Sequence, residues 1–171
     1  MSTISPSKTT PAGIWNADPV HSHLSFEVAY AGTNTFRGGF HEYGATLKDG
    51  VLEGSAKVAS VDVKDEQLSG HMQSPDFFDA ERYPEITFRA DDLERGELTI
   101  KGVTRPVELT VSISEPNVDP FGRERVGVKL ETTIDRNEFG VSWNAPNQGG
   151  GNYLGDQVKL IAELAFVKQE A

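Results

Sequence analysis

Two histidines two residues apart, His21 and His23, are the first pair in this chain whose types and spacing could do chemistry. On a strand, positions i and i+2 point to one face, so both imidazoles could share a metal and serve a metal-dependent hydrolase or isomerase. Such a site needs further ligands from His41, His71 or a carboxylate, and nothing in the sequence puts these beside the pair. The competing reading gives His21 and Ser22 hydrogen bonds that anchor the first strand, and leaves His23 solvated or at a cavity mouth. A second candidate is the acidic group Asp76, Asp79 and Glu81 around Phe77 and Phe78. It reads as an acid/base cluster or as an amphipathic turn, and adjacent phenylalanines favour a turn that plugs or roofs a core.

Other chemistries are excluded by what is missing from the sequence. There is no cysteine, hence no disulfide, thiolate nucleophile or Cys-based zinc site. No G-x-S-x-G string marks a serine nucleophile elbow. The glycine run in NAPNQGGGNYLGD, from Asn144 to Asp156, lacks the Lys and Ser/Thr of a phosphate-binding P-loop, and reads as a lid over a barrel mouth or a plain connection. The balance favours a non-enzymatic chain with no catalytic residue, metal or cofactor.

The elements that position these residues are mostly strands. From Val20 onward, Ser22, Leu24, Phe26, Val28 and Tyr30 fall on one side and His21, His23, Ser25 and Glu27 on the other. Similar stretches run from Phe36 to Leu47, Leu52 to Val61, Ile86 to Leu93 and Glu97 to Ile100. The same period returns at Val107 to Ile113, Val126 to Leu130 and Val158 to Phe166, giving about eight strands. Between Lys64 and Pro84 the alternation is lost and two short helices are expected, the second capped by Ser74 with Pro75 and Asp76 behind it and ended by Pro84. No repeat of 20 to 50 residues suggests a solenoid. A meander of this kind predicts an all-β fold, a single extended antiparallel barrel of about eight strands with a short helical insertion.

Length and composition agree with one domain. A chain of 171 residues buries roughly 70% of its unfolded surface. Sixteen Lys and Arg against 26 Asp and Glu leave a net charge of −10, which repels phosphate backbones and argues against nucleic acid. Residues 1–13 are Ser, Thr and Pro rich without the apolar run of a secretory signal, and are expected to form a disordered tail before a domain over 14–171. No apolar run is long enough for a transmembrane helix, so the expectation is a cytoplasmic protein. A homodimer is expected only because it is the commonest assembly.

Several ordered strings resemble the YceI-like family, the polyisoprenoid-binding proteins. WNADPVHSHLSFEV is similar to its first strand, with Asp18, His21 and Ser22 at recurring positions, and FRGGF to its second. HMQSPDFFDAERYPEITF, LTIKGVTRPVELTV, DRNEFGV and LGDQVKL continue the resemblance from about Trp15 to Phe166. The resemblance implies a lipocalin-like barrel with an elongated apolar pocket for an isoprenoid or similar lipid, such as a polyprenyl chain, an isoprenoid quinone or its precursor, held for storage or transport without catalysis. Tyr30 stands where the family often has a His, which implies different head-group contacts.

Periodicity, and not the resemblance, selects the pocket residues. On the strands these are Phe26, Val28, Phe40, Phe88, Ile100, Leu109, Val111, Leu130 and Leu160. Met72, Phe77 and Phe78 come from the helical segment, and Phe139 and Trp143 from the region before the glycine run. Small residues Gly54, Ala56, Thr132 and Ala162 are interleaved with them on the inward faces. That mixture of sizes is compatible with a ligand cavity. It is equally compatible with a solidly packed barrel that acts as an interaction module.

Overall fold

The computed structural model describes residues 11–169. Of the tail expected over 1–13, residues 1–10 lie outside the described residues. Of its last residues, the Ala12 carbonyl accepts from Trp15 Nε1 at 3.1 Å and the Gly13 carbonyl from the Asp49 N–H at 3.3 Å.

Among the described residues the fold is all-β with one α-helix. The first strands are β1 (Ile14–Ala17), β2 (His23–Tyr30), β3 (Asn34–Phe40), β4 (Tyr43–Lys48), β5 (Val51–Lys57) and β6 (Val61–Asp62). Helix α1 (Glu66–Gln73) follows, then β7 (Glu85–Asp92), β8 (Arg95–Ile100), β9 (Val103–Glu108) and β10 (Thr110–Ile113). The last are β11 (Asn117–Val118), β12 (Glu124–Asp135) and β13 (Leu154–Lys168). They form one antiparallel sheet in the order β6-β3-β2-β13-β1-β4-β5-β7-β8-β9, with β12 on the other edge of β13 and β10 and β11 on β12.

β13 organises this sheet. One of its edges pairs with β12 from Gln157 to Val167; the other pairs first with β2 and then with β1. The chain leaves β9, which pairs with β8, passes through Leu109 alone, and continues as β10, which pairs with β12. Among the described residues no ladder joins β9 to β12, so hydrogen bonds do not close the sheet.

Where a barrel of about eight strands was expected, the described residues form one antiparallel sheet of thirteen ladder segments that hydrogen bonds do not close. Period-two patterning reports which face a residue takes, but not where a strand changes partner. The stretch Phe36 to Leu47 accordingly breaks between Phe40 and Tyr43, Leu52 to Val61 breaks at a 3₁₀ turn over Val58–Ser60, and Val107 to Ile113 breaks at Leu109.

The helical segment is also corrected. Asp65 caps α1, its carboxylate accepting from the Gln67 N–H at 2.9 Å. Ser74 ends that helix instead of starting a second one: its hydroxyl donates to the His71 carbonyl at 2.6 Å. The N–H groups of Phe77 and Asp79 then close turns on the Ser74 carbonyl, and Asp79 takes a positive φ of 51° that stops helical propagation.

Two apolar clusters result. One end of the molecule packs Trp15, Leu47, Leu52, Ala90, Leu93, Val126, Val128 and Phe166 almost without exposure. The other cluster surrounds Phe26, Phe40, Met72, Phe77, Ile100 and Phe139. In the latter, aromatic rings crowd against glycines: a Cβ on Gly38 would come within 2.5 Å of the Phe26 ring, and one on Gly96 within 2.5 Å of Phe88. Both glycines make room for a ring that borders empty space.

Candidate ligand-binding cavity

That empty space is an apolar cavity of about 400 Å³ inside the second cluster. The inward side chains of β2 supply one wall, Leu24, Phe26, Val28 and Tyr30, and those of β13 the adjoining one, Leu154, Val158, Leu160 and Ala162. Alternation explains why: every second residue of each strand faces the same way, and the residues between them include the outward Glu27, Ala29 and Lys159. Phe26 stands 6.0 Å from both Phe36 and Phe40, ring centre to ring centre, and Phe40 meets Phe78 at 6.0 Å. Edge-on and tilted contacts of this kind hold large rings at the wall without filling the middle.

The structure brings thirteen of the fourteen residues selected from sequence to this cavity: Phe26, Val28, Phe40, Met72, Phe77, Phe78, Phe88, Ile100, Leu109, Leu130, Phe139, Trp143 and Leu160. The exception is Val111, which packs in the closed cluster at 7% exposure. It has the inward face that was expected, but it lies beyond the Leu109 crossover, at the end where the interior is filled. Phe88 and Leu109 pack against both clusters, so they form the floor where the cavity meets the packed end. The small residues Gly54, Ala56, Thr132 and Ala162 also line the space.

Polar groups gather at the far end, and sequence reasoning missed most of them. Tyr153 donates its phenolic proton to Tyr30 at 2.9 Å; that bond and partial burial hold the Tyr153 phenol above its ordinary pKa. His71 meets the Trp143 ring edge-on at 4.9 Å, with its Nε2 2.9 Å from an Asp76 carboxylate oxygen. Arg136 is 5% exposed and also borders the cavity. Residues of the inward face such as Leu24 and Tyr30 were available from the period of two, whereas an arginine in a cavity wall has no periodic signature.

The glycine run forms a hairpin-like loop closed by its own bonds. Asn144 ties it twice to Leu154, donating to its carbonyl at 2.7 Å and accepting from its N–H at 2.9 Å. The Tyr153 N–H reaches the Ala145 carbonyl, and Pro146 bridges Asn152. The loop therefore presents Trp143 and Tyr153 to the cavity from either side of its neck.

His21 and His23 do not meet there. His21 lies in the turn before β2, its Nδ1 2.7 Å from Asp18, and His23 is exposed at the strand start. Ser22, buried, accepts from the Ala165 N–H at 2.9 Å and pins that turn to β13. Among the described residues no group of three His, Cys, Asp or Glu side chains comes together to hold a metal.

Asp18 instead belongs to a charged clasp. Arg125 bonds Asp18 at 3.1 Å and Asp119 at 2.7 Å, tying the β1–β2 turn to the loop after β11. The hydrogen bonds from His21, the Val20 N–H and Arg125 lower the Asp18 pKa to about 2, and Arg125 holds Asp119 well below the ordinary carboxylate range. A carboxylate with a depressed folded pKa stabilises above its unfolded value and loses that contribution as pH falls through the folded one. Asp18→Asn should therefore be less stable than the wild type at neutral pH, and the difference should shrink from about pH 4 down to about 2. Urea midpoints across that range check it; a pH-independent difference would remove the clasp as a source of stability.

Comparison with known proteins supports the same architecture. The YceI-like domain matches residues 15–166. A UPF0312 protein of Staphylococcus aureus is 28% identical over 161 residues, covering 87% of this chain and 94% of the relative. Among solved structures, BcnA of Burkholderia cenocepacia superposes with a TM-score of 0.74 at 22% identity, over 87% of this chain and 98% of its own. A domain of Saccharophagus degradans described as polyisoprenoid-binding superposes with a TM-score of 0.73 at 12% identity, over 91% and 98%. At those identities the two structures speak to the fold.

Proposed function

Because the chain belongs to the YceI-like family, we propose that its cavity holds an isoprenoid or related amphipathic lipid, which the protein stores or transports without catalysis. The observation that carries this reading is the cavity itself: about 400 Å³ of space walled by aliphatic and aromatic side chains. That volume lies in the range of about 300–1,000 Å³ typical of small-molecule sites. The description of the Saccharophagus domain supports the same ligand class. Polyprenyl chains, isoprenoid quinones and their precursors all share the repeated apolar unit that such walls accommodate.

The energetics suit a carrier. Each buried CH₂ is worth roughly 0.8 kcal/mol against water, so a five-carbon isoprene unit contributes about 4 kcal/mol. The competing environment for a prenyl tail is a bilayer as apolar as these walls, so exchange between membrane and cavity is close to balanced. A balanced exchange lets cargo load and leave.

Native mass spectrometry of freshly purified protein, followed by organic extraction, tests the proposal without a guess about the ligand. The expected result is a prenyl or fatty species at about one per chain. If purified protein carries nothing and a fluorescent prenyl probe does not bind it, an interaction role replaces this reading.

A further inference from the structure

Arg136, in the DRNEFGV string that follows β12, is a charged side chain in the wall of an apolar cavity. Its Nε donates to the Gly155 carbonyl at 2.8 Å, and its Nη1 to the carbonyls of Val141 at 2.7 Å and Trp143 at 2.9 Å. Nη2 is buried and, among the described residues, has no hydrogen-bond partner. Among the described residues no carboxylate comes within ion-pair distance of the guanidinium; Asp135 and Asp156 act on it only from farther away, and both engage Asn137 Nδ2 instead, at 3.0 Å each. A buried donor left unmade is costly, and a buried charge without a counter-ion more so. Three of the five N–H groups hold the chain in place; two remain for something else.

We propose that Arg136 is the head-group site of the cavity, taking the oxyanion of an amphipathic lipid, a carboxylate or a phosphate, through the free Nη2 donors. The inference rests on the lipid-binding reading above and gives it a direction. The head lies at the end where Tyr30, Tyr153, His71 and Arg136 border the space, and the tail runs toward the floor at Phe88 and Leu109. With Nε and Nη1 engaged, the Nη2 hydrogens can donate charge-assisted hydrogen bonds to carboxylate or phosphate oxygens. Burial favours the neutral arginine, so an anion beside it also restores the balance of charge in the wall.

The test compares ligands that differ only in the head. Oleic acid, oleyl alcohol, methyl oleate, geranylgeranyl phosphate and geranylgeraniol are each titrated against a neutral fluorescent prenyl probe, on wild type and on Arg136→Gln. On wild type the acid or the phosphate is expected to bind at least about tenfold more tightly than its own alcohol, as a charge-assisted hydrogen bond provides. Preference in the oleyl pair alone identifies a carboxylate lipid, and in the geranylgeranyl pair alone a phosphate. Arg136→Gln should remove the preference while the alcohols still bind. Equal binding of acid and alcohol to wild type overturns the head-group site and leaves the lipid reading standing, as does a preference that survives in folded Arg136→Gln. Should the variant not fold, the wild-type series decides. A protein that binds none of the five ligands nor the probe overturns the lipid reading itself, and this inference with it.

Discussion

Phe88→Asp is expected to lower affinity for a fluorescent prenyl probe at least about 100-fold while the chain stays folded. Phe88 faces the cavity floor from β7, half-buried only because the space beside it is empty. Its neighbours across the ladders are Gly54 and Leu98, and a Cβ on Gly96 would meet its ring, so none of these three offers a side-chain donor to a carboxylate. An ionised carboxylate keeps its water, and an apolar tail must strip that water to reach the floor, at several kcal/mol. A loss of 100-fold corresponds to about 2.7 kcal/mol, well within that cost. Phe88→Leu supplies the control, since it keeps the floor apolar, and should bind within about threefold of wild type. Probe titration by fluorescence, with circular dichroism to establish folding, checks both. Unchanged binding by folded Phe88→Asp would place the lipid elsewhere.

The opposite pattern is expected at the packed end. Trp15→Ala should cost about 3–5 kcal/mol of stability, the usual range for removing a large buried aromatic. Trp15 is 1% exposed, sits between Leu47 on β4 and Lys168 on β13, and lends its indole N–H to Ala12. A domain is commonly stable by only about 5–15 kcal/mol, so the loss is about a fifth of the total or more. Yet the residue lines no part of the cavity. Urea unfolding should show the lower midpoint, and the probe affinity of the molecules that remain folded should match wild type. If affinity fell in a variant that is still fully folded, the two clusters would not be energetically separable.

These two variants divide the interior into a half that stabilises and a half that receives, and the sequence distinguishes them poorly. What it does carry is facing. Leu24, Phe26, Val28 and Tyr30 can be assigned to one wall because the strand period is two and a slip by one residue would turn every one of them outward. Position along the strands has no such period. Val111 and Leu109 share a face, but one lines the cavity and the other is sealed in the core. The difference depends on where β10 joins β12, a long-range pairing that local pattern does not encode.

Charge is similarly hard to read. Arg136 and Asp18 look like surface residues in sequence, because most arginines and aspartates are. One is drawn into the wall by three carbonyls that only the folded loop brings together, and the other into a clasp with Arg125, 107 positions away in the chain. Ser74 shows a local version of the same limit. As a residue before Pro75 it has the composition of a helix start, but the preceding helix was already using it as an end.

The position of β13 governs how this molecule comes into being. It is the last strand in chain order and also the one that pairs with β12, β2 and β1 at once. While a ribosome extends the chain, β2 and β1 must wait with one edge unpaired until more than a hundred further residues have been made. Such non-local pairing makes folding slow and leaves apolar strand edges open to other chains in the meantime. Biosynthesis of this domain is therefore most exposed to aggregation just before β13 emerges, and a chaperone that shields nascent strands would act on the unfinished chain at that stage.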